Sequence, residues 1–347
     1  MKEFPALRGA ALALLAAVLF GLSAPLIRRF GVATGPWSTA VLLYAGAACA
    51  GLLWRPGAGQ EAALRRADLP RIGLMALFGA ALGPFALAWG LQRTSALSGS
   101  LALTLEAVFT VLLAALWYRE HLGRRVLAAV VLMSAGGALL VLDSTRAGAT
   151  GVLGFLAVVG ATLAWGVDNT LSRPLAERDP ATVVFCKAAA GSLLSLVLAF
   201  GFGEAPPPLA AALALFVVGM LGYGISLRFY LLAQRSFGAA RTGSVFAAAP
   251  FIGAAAALAL GERGITPWLA GGSALLLFGV YLHLTEAHAH IHLHEPLEHE
   301  HAHTHEDGHH DHRHAQMPVG PHSHWHRHAA LTHEHPHVPD LHHAHRH

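Results

Sequence analysis

LQRTSALSGSLALTLEAVFTVLLAALWYREHLGRRV, residues 91–126, returns in a weaker copy as AQRSFGAARTGSVFAAAPFIGAAAALALGERGITPW, residues 233–268. A constant offset of 142 residues pairs Gln92 and Arg93 with Gln234 and Arg235, and Glu120 with Glu262. It also pairs Leu127 and Ala128 with Leu269 and Ala270, and Gly137 with Gly279. Both copies carry apolar runs long enough to cross a bilayer, so the chain reads as a membrane protein made of two homologous halves.

Composition agrees. Of 347 residues 54% are hydrophobic and only 12% charged, whereas a soluble domain carries about a quarter charged residues. Working outward from the repeat, ten apolar spans are expected, at 9–27, 36–54, 70–91, 98–117, 126–142, 152–171, 181–202, 209–233, 239–260 and 267–284. The connections between them are short and hold breakers such as Gly35-Pro36, Asp179-Pro180 and Thr266-Pro267. Prolines that begin spans are tolerated because a first-turn amide has no helical partner. Cys49 and Cys186 fall inside apolar runs and read as small buried hydrophobes.

The basic residues set an expected orientation. With the N-terminus inside, the inner segments hold 13 Lys and Arg residues and the outer connections 5, so the positive-inside rule places both termini in the cytoplasm. Five spans per half then invert the second half relative to the first. The expected fold is therefore all-α, with ten transmembrane helices in two inverted five-helix repeats (1–146 and 147–286) and a disordered His-rich tail over 287–347. Inverted repeats place a solute site between the halves and alternate its access by rocking.

Several short motifs then carry a resemblance: FGLSAPLIRRFG at 20–31, span ends with an acidic residue in WYREHL (117–122) and ALGERG (259–264), and APFIGA at 249–254. In this order, and doubled, they resemble the drug/metabolite transporter superfamily, and within it the EamA type, over about residues 9 to 285. The resemblance implies a multi-pass inner-membrane carrier that exports small metabolites or drugs and has no ATP-binding part.

Ionisable side chains at membrane depth cost about 2.5–3.5 kcal/mol on insertion scales and so face a cavity or a partner. Glu106, Asp168, Lys187 and Arg228 meet that description, with Asn169, Tyr223, Tyr230 and Trp165 as further cavity candidates. Glu106 and Arg228 have Ala248 and Ala86 at their repeat positions, an asymmetry that points to the solute or proton path; the structural alternative is internal ion pairing. Glu120 and Glu262 read instead as helix-end or salt-bridge residues.

Residues 288–347 hold 23 of the 25 histidines. The candidate metal ligands are His288, His290, His292, His294, His299, His301, His303, His305, His310, His312, His314, His322, His324, His326 and His328. Neutral imidazole binds zinc, nickel, copper and iron alike, so the tail is expected to bind a divalent metal, with zinc or nickel the first to try.

Glycine-rich phosphate loops, nucleophile elbows and HExxH runs do not occur, and the scattered basic residues form no nucleic-acid patch. The expected partners are the lipid bilayer, a small-molecule solute and divalent metal ions; no cofactor is required, and oligomeric state is not encoded. Two alternatives stand beside export of an organic solute: a zinc, nickel or cobalt carrier fed by its tail, and a membrane-anchored metal buffer or sensor.

Zinc titrated into the full-length protein should bind, and a chain ending at residue 287 should bind far less. Because protonated imidazole cannot ligate, affinity should fall as pH drops through ~6.5. Calorimetry at several pH values checks this, and equal zinc binding by the truncated chain refutes it.

Overall fold

The computed structural model describes residues 5–53, 62–119, 122–175, 178–237 and 239–285, and the backbone of four strands in the tail. The side chains at 5–6, at 235–240 and in those strands lie outside the described residues. The expectations for Trp54, Glu120 and His121, and for the tail ligands His305, His310, His312 and His314, lie outside the described residues.

The first half contains α1 (Pro5–Gly21), α2 (Ser23–Gly31), α3 (Pro36–Leu53), α4 (Leu69–Met75), α5 (Gly83–Leu91), α6 (Ala96–Ala102), α7 (Leu105–Tyr118) and α8 (Arg124–Ser144). The second contains α9 (Gly148–Ser172), α10 (Pro180–Gly201), α11 (Leu209–Gly219), α12 (Ser226–Phe237), α13 (Ala239–Phe246), α14 (Ala249–Ala259) and α15 (Pro267–Leu284). Among the described residues these make nine helical stretches apolar and long enough to cross a membrane. One of them, Arg124–Leu175, runs for 52 residues and includes the turn Thr145–Ala147 between α8 and α9. As one straight helix it would be about 78 Å long, far beyond a hydrocarbon core of ~30 Å.

Several of the stretches are not plain helices, and four of the irregularities come as two repeat-related pairs. Between α4 and α5 the backbone widens into a π turn at Ala76–Leu82, and between α11 and α12 into another at Met220–Ile225. The 142-residue offset carries the first onto 218–224, overlapping the second. Likewise α6 stops at Ala102 and α7 starts at Leu105, while α13 stops at Phe246 and α14 starts at Ala249. π turns inside α-helices are often found at functional sites.

Close packing holds the bundle together, since lipid supplies no water-driven force between helices. The pair α8 and α15 lies antiparallel at one edge, α3 packs on α10 and α11, α1 on α12 and α14, and α5 on α9. The crossing of α3 and α11 is the tightest. A Cβ on Gly46 would stand 2.1 Å from the Phe216 carbonyl oxygen, and one on Gly219 would stand 2.0 Å from that of Leu43. Large apolar side chains such as Leu153, Leu193, Phe200 and Leu209 point outward instead, as expected of a surface in lipid.

Two ends of the bundle can be told apart. At the distal end the carboxylates of Glu204 and Glu262 meet the starts of α3 and α6, and Thr266 meets Asp143. At the proximal end Arg178 Nε bonds Asp68 Oδ2 at 3.0 Å, Asp179 N bonds the Ala62 carbonyl at 2.8 Å, and Arg125 reaches the Thr285 carbonyl.

The tail backbone forms β1 (His288–His294), β2 (Leu297–His303), β3 (His322–His328) and β4 (Leu331–His337), with β1 antiparallel to β4 and β2 antiparallel to β3. Histidine at every second position is a period that extended backbone follows, and this is why a polar tail can take up strand geometry.

Gly219→Leu should force α3 and α11 apart. Overpacking of this kind costs about 1–3 kcal/mol, so the thermal transition in detergent should drop by several degrees. Gly160→Leu is the control, since nothing lies within 4 Å of a Cβ there, and it should leave the transition where it is. Equal transitions for the two variants would contradict the packing argument.

Candidate functional site

The polar residues at mid-depth assemble around the π turn of the first half and the break between α6 and α7. In the π turn the Gly79 carbonyl oxygen accepts two side-chain bonds, from the Tyr44 hydroxyl at 2.5 Å and from Trp165 Nε1 at 2.9 Å. Gly79 also makes room for Asp168, whose carboxyl carbon would stand 2.3 Å from a Cβ at that position.

Asp168 is buried, with 5% of its surface exposed, and its Oδ2 receives the Lys187 ammonium. Its Oδ1 has no hydrogen-bond partner among the described residues. So α9 and α10 contribute a neutral ion pair with one acceptor left over.

Glu106 stands at the second position of α7, just after the break at Leu103 and Thr104. The amides of Glu106 and Ala107 bond the carbonyls of Leu103 and Thr104 across the break, and a carboxylate in the first turn is favoured by the helix dipole. Its Oε1 accepts from Asn169 Nδ2 at 2.7 Å, and the same amide lies 3.4 Å from Thr110 Oγ1. The charged neighbours of Glu106 are Asp168 and Lys187, and Tyr44, Tyr223 and Tyr230 lie within its electrostatic reach.

Asn169 shows which way the site opens. Leu153, Leu156 and Leu163 mark the lipid-facing stripe of α9. At 100° per residue Asn169 lies roughly 160° round the helix from Leu153, between the buried Thr162 and Trp165. Asn169 is nonetheless exposed, so it looks into an opening inside the bundle and not at lipid.

Aromatic rings continue the lining. Tyr223, on the second π turn, has ring centroids 5.6 Å from Tyr44, 5.7 Å from Phe20 and 6.3 Å from Trp165. Phe20 in turn meets Phe246 at 5.5 Å, and Phe246 meets Tyr230 at 4.9 Å. The Tyr223 hydroxyl oxygen is enclosed beside the Ser23 side chain. Apart from this cluster, a crevice of about 400 Å³ runs between α1, α2 and α11, lined by Leu19, Leu26, Phe30, Val217 and Leu221, with Ser23 its polar member.

Of the residues singled out from sequence, Glu106, Asn169, Asp168, Lys187, Tyr223, Tyr230 and Trp165 come together here. Arg228 sits partly buried on α12. The sequence alone does not mark Tyr44 as a site residue, nor Phe20 beyond its place at the head of the motif at 20–31; both are recruited by the folding of α1 and α3 onto the π turns. Among the described residues no three His, Cys, Asp or Glu side chains stand together as a metal site.

A solved crystal structure shares the fold, with a TM-score of 0.59 at 21% identity over 79% of this chain and 95% of that one. An uncharacterized transporter of Methanothermobacter thermautotrophicus is 27% identical over 227 residues, covering 64% of this chain and 66% of that protein. A probable terminal-alkyne amino-acid exporter of Streptantibioticus cattleyicolor is 31% identical over 224 residues, covering 63% of this chain and 74% of that protein. The EamA-like transporter family model matches twice, at residues 7–142 and 152–285, one match to each half of the duplication; the chain belongs to the EamA-like transporter family.

Proposed function

We propose that this protein exports a small organic solute carrying an ammonium group, of amino-acid type, across the inner membrane, and that Glu106 seats that group. The observation that carries the reading is the charge balance of the site. Asp168 and Lys187 cancel, whereas Glu106 is bonded by the neutral Asn169. A carboxylate at membrane depth that is hydrogen-bonded by a neutral amide can take up a proton and a solute ammonium in turn. Exchange of one for the other couples export to the proton gradient without any bound cofactor.

The unpartnered Asp168 Oδ1 adds an acceptor for the ammonium, the Tyr223 hydroxyl can meet a second polar group of the solute, and the rings of Phe20, Tyr44 and Trp165 can cover an apolar side chain. The Streptantibioticus relative named as a probable amino-acid exporter supports the same class of solute.

The topology that goes with this reading has ten spans and both termini in the cytoplasm. The turn at Thr145–Ala147 that divides the 52-residue stretch supports the count, and the 13-to-5 basic asymmetry supports the orientation. On that topology the proximal end is cytoplasmic, and the tail there binds divalent metal and modulates transport. The mid-depth groups are carboxylate, ammonium, amide and phenol oxygen and nitrogen, which favours an organic solute as cargo.

In proteoliposomes carrying a proton gradient, Glu106→Gln should lower uptake of a labelled apolar amino acid roughly tenfold to a hundredfold. This corresponds to about 1.5–3 kcal/mol for a hydrogen bond to a charged group. Asn169→Ala should lower it less. Undiminished, gradient-driven transport by Glu106→Gln would overturn the proposal.

A further inference from the structure

The second half ends two of its helices in the same way. After α10 comes Phe202, then Gly203 at φ 66°, then Glu204; after α14 comes Leu260, then Gly261 at φ 97°, then Glu262. Each glycine amide bonds the carbonyl three residues back, Gly203 to Phe200 at 3.1 Å and Gly261 to Leu258 at 3.0 Å. Each glutamate amide bonds the carbonyl five back, Glu204 to Ala199 at 2.9 Å and Glu262 to Ala257 at 3.1 Å. This is the Schellman closure, and it needs a left-handed residue at the glycine position. It fixes the direction in which the following side chain leaves the helix.

Both side chains cross to the first half and land on a helix start. Glu204 accepts from Trp37 N at 2.9 Å, Ser38 N at 2.8 Å and Ser38 Oγ at 2.7 Å, at the first turn of α3. A Cβ on Gly35 would stand 2.1 Å from its Oε2, so the carboxylate fits because that residue is glycine. Glu262 accepts from Ala96 N and Leu97 N, each at 2.9 Å, at the first turn of α6, and Arg28 Nε lies 3.2 Å from its Oε1. First-turn amides have no partner within their own helix, and a carboxylate is favoured there by the helix dipole.

The surface they land on is tied together within the first half. Arg28 also bonds the carbonyls of Leu91 and Thr94, and Gln92 Nε2 bonds those of Gly31 and Thr34 at 2.9 Å each. Behind this contact the two broken helices behave differently at their two ends. Distally α6 packs on α14, whereas proximally α7 packs on α9 and α13 packs on α1 and α12. The distal seam is tight: Ser100 is fully buried, and a Cβ on Gly253 would stand 2.9 Å from Ser100 Oγ and 2.6 Å from the Gly21 carbonyl oxygen.

We infer that Glu204 and Glu262 are paired latches that hold the distal gate shut, and that both must leave the first turns of α3 and α6 before solute can exit on that side. The inference rests on reading the chain as an alternating-access carrier. Each latch is a set of charge-assisted bonds at an end of the bundle. When it opens, water can replace the bonds on both partners, which makes it strong enough to bias the gate and weak enough to release. In the state described here the latches are engaged and the interior opening beside Asn169 belongs to the other side.

The test needs no solute, so its outcome is independent of whether the ammonium reading holds. In full-length protein with Cys49 and Cys186 replaced by alanine, Ser100→Cys reports the distal seam and Asn169→Cys reports the interior opening. A membrane-impermeant maleimide is applied to each face in vesicles of both orientations. With Glu204→Gln and Glu262→Gln combined, labelling of Ser100→Cys from the distal face should rise about tenfold, and labelling of Asn169→Cys from the proximal face should fall. Each single glutamine variant should move the ratio in the same sense by less, so the result does not hang on the folding of the double variant. Unchanged labelling of Ser100→Cys overturns the inference, as does a rise at both reporters together, which would mean general loosening.

Discussion

Inside a bilayer no lipid group can satisfy a peptide group or a charge, so polar atoms at that depth need a partner within the protein or a cavity to face. The organisation of this chain follows from that demand. Regular helices satisfy their own backbones, and glycine pairs such as Gly46 and Gly219 let them pack without polar help. Where the first π turn frees a backbone group, side chains take it up. The Gly79 carbonyl there draws in both Tyr44 and Trp165. Those two residues in turn fix α3 and α9 against the turn, so the irregularity that opens room for a solute also sets the walls around it.

The same constraint explains why the charges converge. Asp168 and Lys187 neutralise one another on neighbouring helices, while Glu106 is placed at a helix start created by a break in mid-membrane. The break creates a helix start at that depth, and a carboxylate is favoured at the positive end of the helix dipole. The break and the charge are therefore one feature. The repeat-related break before α14 has Ala248 in place of the glutamate, and Pro250, which has no amide to satisfy, at the second position of the helix.

Much of this is legible in the sequence, because a duplication at fixed offset and apolar runs of bilayer length are strong signals. Rare polar residues inside those runs mark the site, since a charge in lipid is costly enough to require a cavity or a partner. The π turns are not legible: Ala76–Leu82 and Met220–Ile225 are apolar and glycine-bearing like their surroundings, and one extra residue per turn leaves no trace in composition. Nor can spacing tell that Asn169 is the partner of Glu106, because that depends on how α7 and α9 rotate against each other. Glu204 lies beyond its span and so escapes a search for charges at membrane depth, although the Gly-Glu pair at the end of two helices is there to read. The polar composition of the tail suggests disorder, whereas the period of two in its histidines also suits the strands β1 to β4.

A carrier must visit two states of similar energy, and a duplicated inverted scaffold supplies them at little cost because each half can take the other's shape. Paired π turns and paired helix breaks are what such a scaffold would be expected to share, and both halves have them. What distinguishes the states must then come from features present once. Glu204, with Ala62 at its repeat position, and Glu106, with Ala248, are of that kind: on the readings proposed above the former biases the distal end and the latter responds to the cation that fills its site. A ligand can shift a two-state equilibrium only by its differential affinity for the two states. On the proposed reading Glu106 is placed to meet that condition, because it stands immediately after the break between α6 and α7, where the packing partners of the chain change from the distal to the proximal set. Filling or emptying that site changes the electrostatics of the joint itself, which is where a small local change can be passed to both ends of the bundle.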